Sequence, residues 1–257
     1  MTPSIQVSLG QVAAALALVA IAAAISLWRR ADLERDIALA AVRSFIQLTA
    51  IGYAIKLIFE ADTIWLVLAL LAVMVGFGAL TARSRAKKVP GAFWPLLIAL
   101  TVAAATTLGL VVALGVFDPT PRYLVPVGGM VIGNAMTASA VALNRLGDEV
   151  SESRAAIEAT LALGATSREA AAPFVRRALR SGTITLVDST KTAGLIFFPG
   201  TMVGMLLAGA DPTDAVRLQL ILLYTLLGSV AIAALVATGL AYRNFFTAAQ
   251  QLREPGG

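Results

Sequence analysis

The sequence predicts an all-α, polytopic membrane protein with about seven transmembrane helices, its N-terminus outside and its C-terminus in the cytoplasm. Composition is the first sign: of 257 residues, 58% are hydrophobic and only 14% charged, and the mean hydropathy is +0.84, whereas a soluble domain carries about 25% charged residues. The second is that the apolar residues fall into seven long runs. Lipid offers no partner to an open backbone, so a crossing needs a helix of about 20 apolar residues. The third is the segregation of basic residues into alternate connections.

In order, the spans are expected at about Val7 to Trp28, Ile37 to Phe59, Thr63 to Leu80, Phe93 to Val116, Tyr123 to Leu143, Ile184 to Ala208 and Ala215 to Tyr242. No basic residue precedes the apolar part of the first run, which is also too long for a signal-peptide core, so it is expected to stay in the mature chain. Arg29, Arg30 and Arg35 follow span one, and Arg83, Arg85, Lys87 and Lys88 follow span three. Arg145, Arg154, Arg168, Arg176, Arg177 and Arg180 follow span five, and Arg243 and Arg253 lie at the C-terminus. The opposite connections hold Arg122 alone among the bases, which gives the orientation by the positive-inside rule.

The net charge of +5 has the same origin, so nucleic acid is not an expected partner; membrane lipid is. The chain has no Cys and no His. That removes disulfides, thiolate chemistry, the commonest metal ligand and the commonest general base. Met130, Met136, Met202 and Met205 fall on spans five and six, where thioethers either touch a soft metal or fill gaps in the core.

One transmembrane domain, 1–257, accounts for the chain, with a cytoplasmic loop over about 144–183 as its one sizeable polar stretch. Within that loop a first helix carries Glu158 and Ala159, breaks at Gly164, and gives way to a second helix that Thr166 or Ser167 can cap, with Glu169 in its first turn. A short rigid helix standing off the membrane suits docking to a partner; an ordinary amphipathic surface helix is the alternative.

Charged and polar residues inside spans are costly, by about 2.5–3.5 kcal/mol for a charge at mid-span, and usually face a partner helix or a wet cavity. Asp188 and Lys191 stand three apart on span six, hence on one face, where an ion pair lowers the cost of both. They either line a cation path or form a structural pair with Lys191 snorkelling. Arg43 and Gln47 share a face of span two, and Arg43 is a candidate to bind Asp188 across a helix interface. Asn134 on span five can bond a neighbouring helix or a solute. Pro199-Gly200 falls in mid-span, a candidate kink and gate. The pairs Gly129/Gly133 and Gly200/Gly204 are candidates for close helix contact.

Glu158-Ala159, then Gly164, then Phe174, is similar to the EAA loop of ABC-transporter permeases, with Arg176 and Arg177 in place of the usual leucine and proline. The whole chain resembles bacterial ABC-transporter permeases of the iron-export type, related to plant aluminium-tolerance permeases. The stretches that carry the resemblance are Arg43-Ser44-Phe45-Ile46-Gln47-Leu48, Gly133-Asn134-Ala135-Met136-Thr137, Leu163-Gly164-Ala165-Thr166, Asp188 to Leu195, Phe198-Pro199-Gly200-Thr201-Met202 and Leu207 to Pro212. The resemblance implies a coupling role for Glu158, Ala159, Gly164 and Phe174, a location in the bacterial inner membrane, and metal export. It implies a separate ATP-binding subunit, because no stretch matches G-x-x-x-x-G-K-[ST]; ATP and Mg belong on that partner, and no tightly bound cofactor is expected here. One docking loop per chain implies a homodimer. A stand-alone ion-coupled transporter of a small solute is the alternative, and an embedded enzyme would have only Ser189 beside Lys191 to offer.

Overall fold

The computed structural model describes residues 8–253. Among them are nine α-helices: α1 (Leu9–Arg29), α2 (Glu34–Ala61), α3 (Ile64–Arg85), α4 (Phe93–Ala113), α5 (Pro121–Glu152), α6 (Arg154–Ala162), α7 (Ser167–Thr192), α8 (Gly200–Leu207) and α9 (Pro212–Ala241). A 3₁₀ turn over Tyr242–Phe245 ends the bundle. Helices α1 to α5 and α9 are long and apolar enough to cross a membrane. They match predicted spans one to five and seven, except that Val7 lies outside the described residues.

The predicted sixth span needs correction. Ile184 to Ala208 is not one helix: α7 ends at Thr192, residues 193–199 are irregular, and α8 has only eight residues. Gly194 turns the chain at φ +81° and its N–H donates to the Phe197 carbonyl at 2.9 Å. Pro199 is therefore the residue ahead of α8, and Gly200 its first residue; the expected mid-helix kink is a full break. The chain still traverses the bundle here. Arg154, after α5, donates to the Arg253 carbonyl at 2.7 Å, so α5 and α9 finish at the same end, and α9 begins at the other.

The polar stretch 144–183 is also less of a loop than its composition suggests. Residues through Glu152 prolong α5 to 32 residues, about 48 Å at 1.5 Å each, well beyond a hydrocarbon core of about 30 Å. Residues from Ser167 begin α7.

α4, α5 and α9 make the centre, with α3 and α7 on its flanks. Fully buried Leu96, Leu100, Val131, Leu143 and Leu146 fill it. Ala99 and Ala103 on α4, and Ala233, Ala237 and Ala241 on α9, recur every four residues and are buried, which lets the helix backbones approach closely. α7 meets the backbone of α5 at Gly182, where a Cβ would lie 2.6 Å from the Ala138 carbonyl oxygen and 2.7 Å from the Ala142 Cβ. The expected glycine contacts are elsewhere than predicted: Gly133, Gly200 and Gly204 have nothing within 4 Å of an added Cβ, and Gly129 meets only the end of Met74 at 3.3 Å. α1 and α2 form a peripheral hairpin held at its turn by Ser26, whose hydroxyl donates to Glu34 and accepts the Leu33 N–H, both at 3.0 Å.

The buried threonine hydroxyls are satisfied within their own helices. Thr107, Thr225 and Thr238 each donate to the carbonyl four residues back, at 2.7–2.8 Å. The Ser139 hydroxyl and the Gln219 Oε1 are buried with no partner.

Candidate functional site

The helix predicted around Glu158 is α6, a nine-residue rod set off from α5 at Ser153. Arg154 braces it along its length by an ion pair to Glu158 at 2.9 Å. Its last turn closes at Gly164, whose φ of +90° favours a residue without a side chain. Thr166 then caps α7 in a reciprocal capping box: its Oγ1 accepts the Glu169 N–H at 3.3 Å while Glu169 accepts the Thr166 N–H at 2.8 Å. The Thr166 N–H, and then the Thr166 hydroxyl, which also donates to the carboxylate at 2.8 Å, hold the Glu169 carboxyl below the usual carboxylate range.

Ile157 is fully buried and anchors α6 to the bundle. Glu158, Ala159 and Gly164 are exposed on its free side, beside Leu163, which is 90% exposed at the tip. The C-terminal segment folds back against this tip. Gln250 accepts the Ser167 N–H at 2.9 Å, and a cavity of about 720 Å³ opens between residues 248–252 and the α6–α7 turn, with Glu158 and Gly164 in its lining.

Phe174 behaves differently from the three residues it was grouped with. It is 7% exposed and packs into the core, with the Arg177 guanidinium 4.9 Å above its ring. Arg177 also reaches Glu149, at 2.6 Å from Nη2 and 2.8 Å from Nε, and Arg145 holds the other Glu149 oxygen at 2.6 Å. Glu149 is 5% exposed. A buried carboxylate between two arginines thus joins the end of α5 to α7, and Lys88 adds the α3–α4 connection through Asp148 at 2.6 Å. Sequence reading missed this node. The signal was present: Leu146, Glu149 and Val150 share a stripe of α5, so Glu149 sits on the buried face, four residues after Arg145.

Asp188 and Lys191 pair as their spacing predicts, with Nζ 2.9 Å from Oδ1. Their side chains are 58% and 66% exposed, at the last turn of α7 and directly before the helix break. Leu195 and Ile196 in the break are 88% and 80% exposed. Irregular backbone at membrane depth is tolerated only against protein or a water-filled cavity.

Arg43 and Gln47 are exposed on α2, and Arg43 makes no ion pair among the described residues; the anticipated contact between Arg43 and Asp188 is not formed within the chain. Asn134 turns its amide onto its own helix, donating to the Met130 carbonyl at 2.9 Å, and does not bridge to a neighbour. Met130 and Thr201 meet at 4.0 Å, where α8 touches α5, whereas Met136 stands against α3, 3.9 Å from where a Gly78 Cβ would be. Met130 and Met136 therefore stand against different neighbours.

A family model described as an uncharacterised protein family, UPF0014, matches residues 9–246. The rice UPF0014 membrane protein STAR2 (Oryza sativa subsp. japonica) is 40% identical over 242 residues, covering 94% of this chain and 85% of its own. Protein ALUMINUM SENSITIVE 3 of Arabidopsis thaliana is 38% identical over 242 residues, 94% of this chain and 88% of that one. The probable iron export permease protein FetB of Escherichia coli (strain K12) is 37% identical over 240 residues, 93% of each. No solved structure matches. With relatives aligned along nearly its whole length and six apolar helices of spanning length, this chain belongs to the UPF0014 family and is an integral inner-membrane protein.

Proposed function

We propose that the chain is the membrane-spanning subunit of an ABC transporter, that two copies form the path, and that a separate ATP-binding subunit drives export of iron or another metal ion. The observation that carries the reading is α6: a short helix at the end of the bundle, anchored by Ile157 and turned at Gly164 into the capped start of α7, the helix that carries Asp188 and Lys191. A partner that tilts α6 moves the foot of α7, and such motions switch packed helices between discrete states. The orientation follows the basic residues, which gather at the end of the bundle where Lys88, Arg154 and Arg253 meet, making that end cytoplasmic.

The second copy is argued from what one copy leaves bare. An exposed ion pair beside an open turn is poorly placed in lipid and well placed along a wet path between two protomers. Asp188 supplies the oxygen ligand for a passing cation, and Lys191 its counter-charge. Without His or Cys such a site exchanges its cargo readily. The cargo class rests on the Escherichia coli relative, named a probable iron export permease; the nucleotide site belongs to the partner, since no phosphate-binding loop occurs in the sequence.

The test is purification of the tagged chain from its native membrane beside a Glu158→Arg variant. Glu158 is exposed, so the reversal gives up its surface pair with Arg154 and leaves the buried core, including Ile157, unchanged. A P-loop ATPase that accompanies the wild type and is absent from the variant supports the reading. Its absence from both, under conditions that keep other membrane complexes whole, refutes it and favours a stand-alone transporter.

A further inference from the structure

Two cavities lie between α7 and α9, and their chemistries differ. The first, about 400 Å³, lies where α9 gives way to the 3₁₀ turn and is lined by Arg168, Arg176, Arg243 and Tyr242. None of its lining residues is acidic, and none of these three arginines makes a salt bridge among the described residues. The acid nearest in sequence, Glu169, is bound to the cap at Thr166. The second cavity, about 510 Å³, is lined by apolar side chains and Thr183, whose hydroxyl is bonded to the Leu179 carbonyl at 3.0 Å.

Helical spacing joins them into one groove. On α7, Val175 lines the first cavity, and Leu179, Thr183 and Val187 line the second at successive four-residue steps. On α9, Gly239 lines the first, and Leu235, Ala231 and Leu227 continue the same step in the opposite direction. From Val175 to Val187 the groove runs about 18 Å, at 1.5 Å per residue, a little more than the half-thickness of a hydrocarbon core of about 30 Å. Its basic end is level with the end of the apolar part of α9.

We propose that this groove holds one anionic phospholipid, its phosphate among Arg168, Arg176 and Arg243 and an acyl chain along the apolar trough. Three unpaired guanidiniums with no acid match a phosphate and leave a neutral or cationic headgroup less favoured. An apolar trough one leaflet long suits an acyl chain, which a free anion lacks. Because the groove lies between α7 and α9, the lipid bears on the helix that follows α6.

The experiment is native mass spectrometry of the full chain in detergent, titrated separately with dioleoylphosphatidylglycerol, dioleoylphosphatidylcholine and inorganic phosphate. One phosphatidylglycerol should be retained in preference to phosphatidylcholine, and the preference should fall by about 10- to 100-fold in an Arg168→Gln/Arg176→Gln/Arg243→Gln variant, given the usual worth of a basic residue near an anionic headgroup. Ala231→Phe, which fills the trough and leaves the arginines in place, should reduce retention on its own. The same thermal midpoint as wild type in lipid-free detergent qualifies each variant for comparison. The proposal is overturned if wild type shows no preference, if either folded variant keeps it, if inorganic phosphate binds as well as the lipid, or if the groove proves closed by a second copy of the chain.

Discussion

Replacing Gly182 with alanine adds one carbon where α7 lies directly against the backbone of α5. The new Cβ would stand 2.6 Å from the Ala138 carbonyl oxygen, 2.7 Å from the Ala142 Cβ and 3.2 Å from the Ala142 nitrogen. Two of these three atoms are backbone and cannot rotate away, so α7 must retreat from α5 by the better part of an ångström to restore contacts of about 3.5 Å. Overpacking of this kind costs about 1–3 kcal/mol, and backbone partners put it at the upper end. The gain in helix propensity from glycine to alanine offsets about 1 kcal/mol, leaving a net loss of about 2 kcal/mol. For a chain of this size that lowers the thermal midpoint by about 4–8 °C. The assay is thermal unfolding of the purified protein in detergent, with Gly133→Ala as the control. Gly133 is also in a helix but has nothing within 4 Å, so that variant should be neutral or slightly stabilised. A Gly182→Ala midpoint at or above that of wild type would show that α5 and α7 do not cross at this distance.

Glu149→Gln should lower stability by about 2–3 kcal/mol, less than the roughly 3–5 kcal/mol of a fully buried broken pair, because both arginines are half-exposed to screening; the same unfolding assay reads it, and an unchanged midpoint counts against the node. Thr166→Ala should cost about 1 kcal/mol through the lost cap. Because the Glu169 carboxyl is held below its ordinary value of 4.5, its contribution is complete above that pH and disappears as pH falls through the lower folded-state value; Thr166→Ala should flatten that acid limb of a stability–pH curve. Asp188→Asn should sharply reduce ATP-driven metal efflux from proteoliposomes with the chain inserted normally, and unchanged efflux would remove Asp188 from the path.

The spans were legible because hydrocarbon thickness leaves little freedom once an apolar run is long enough. Hydropathy failed at the sixth span for a physical reason: it counts side chains, and Gly194 and Pro199 break the backbone within Ala193 to Ala208, a stretch whose side chains stay apolar apart from Thr201. It misjudged residues 144–152 in the opposite sense. Charges there end the apolar run, but Arg145, Leu146 and Glu149 are good helix formers, so α5 continues. The turn between α6 and α7 was readable because Gly164 and the Thr166/Glu169 box act locally. Glycine spacing identified pairs that share a helix face, yet which face meets a neighbour is a tertiary fact: Gly182, alone in its stretch, makes the contact that Gly200 and Gly204 do not. Arg177 looked like a departure from a familiar pattern and is the partner of Glu149.

These features converge on α7. Its first turn is capped at Thr166 beside the tip of α6, Arg177 ties its next turns to Glu149, and Gly182 presses its middle onto α5. Beyond that crossing, Asp188 and Lys191 are exposed and the helix ends. Restraint is thus concentrated in the half nearest α6 and falls away toward the break. A helix held so near its foot and free at its far end pivots about the crossing, so a small tilt imposed through α6 becomes a larger displacement at Asp188. The Glu149 node sets how stiffly that tilt is passed on. Its loss should therefore weaken the link between ATP hydrolysis and transport more than it weakens binding of the ATPase, a separation that Glu158→Arg, acting at the docking surface itself, should not produce.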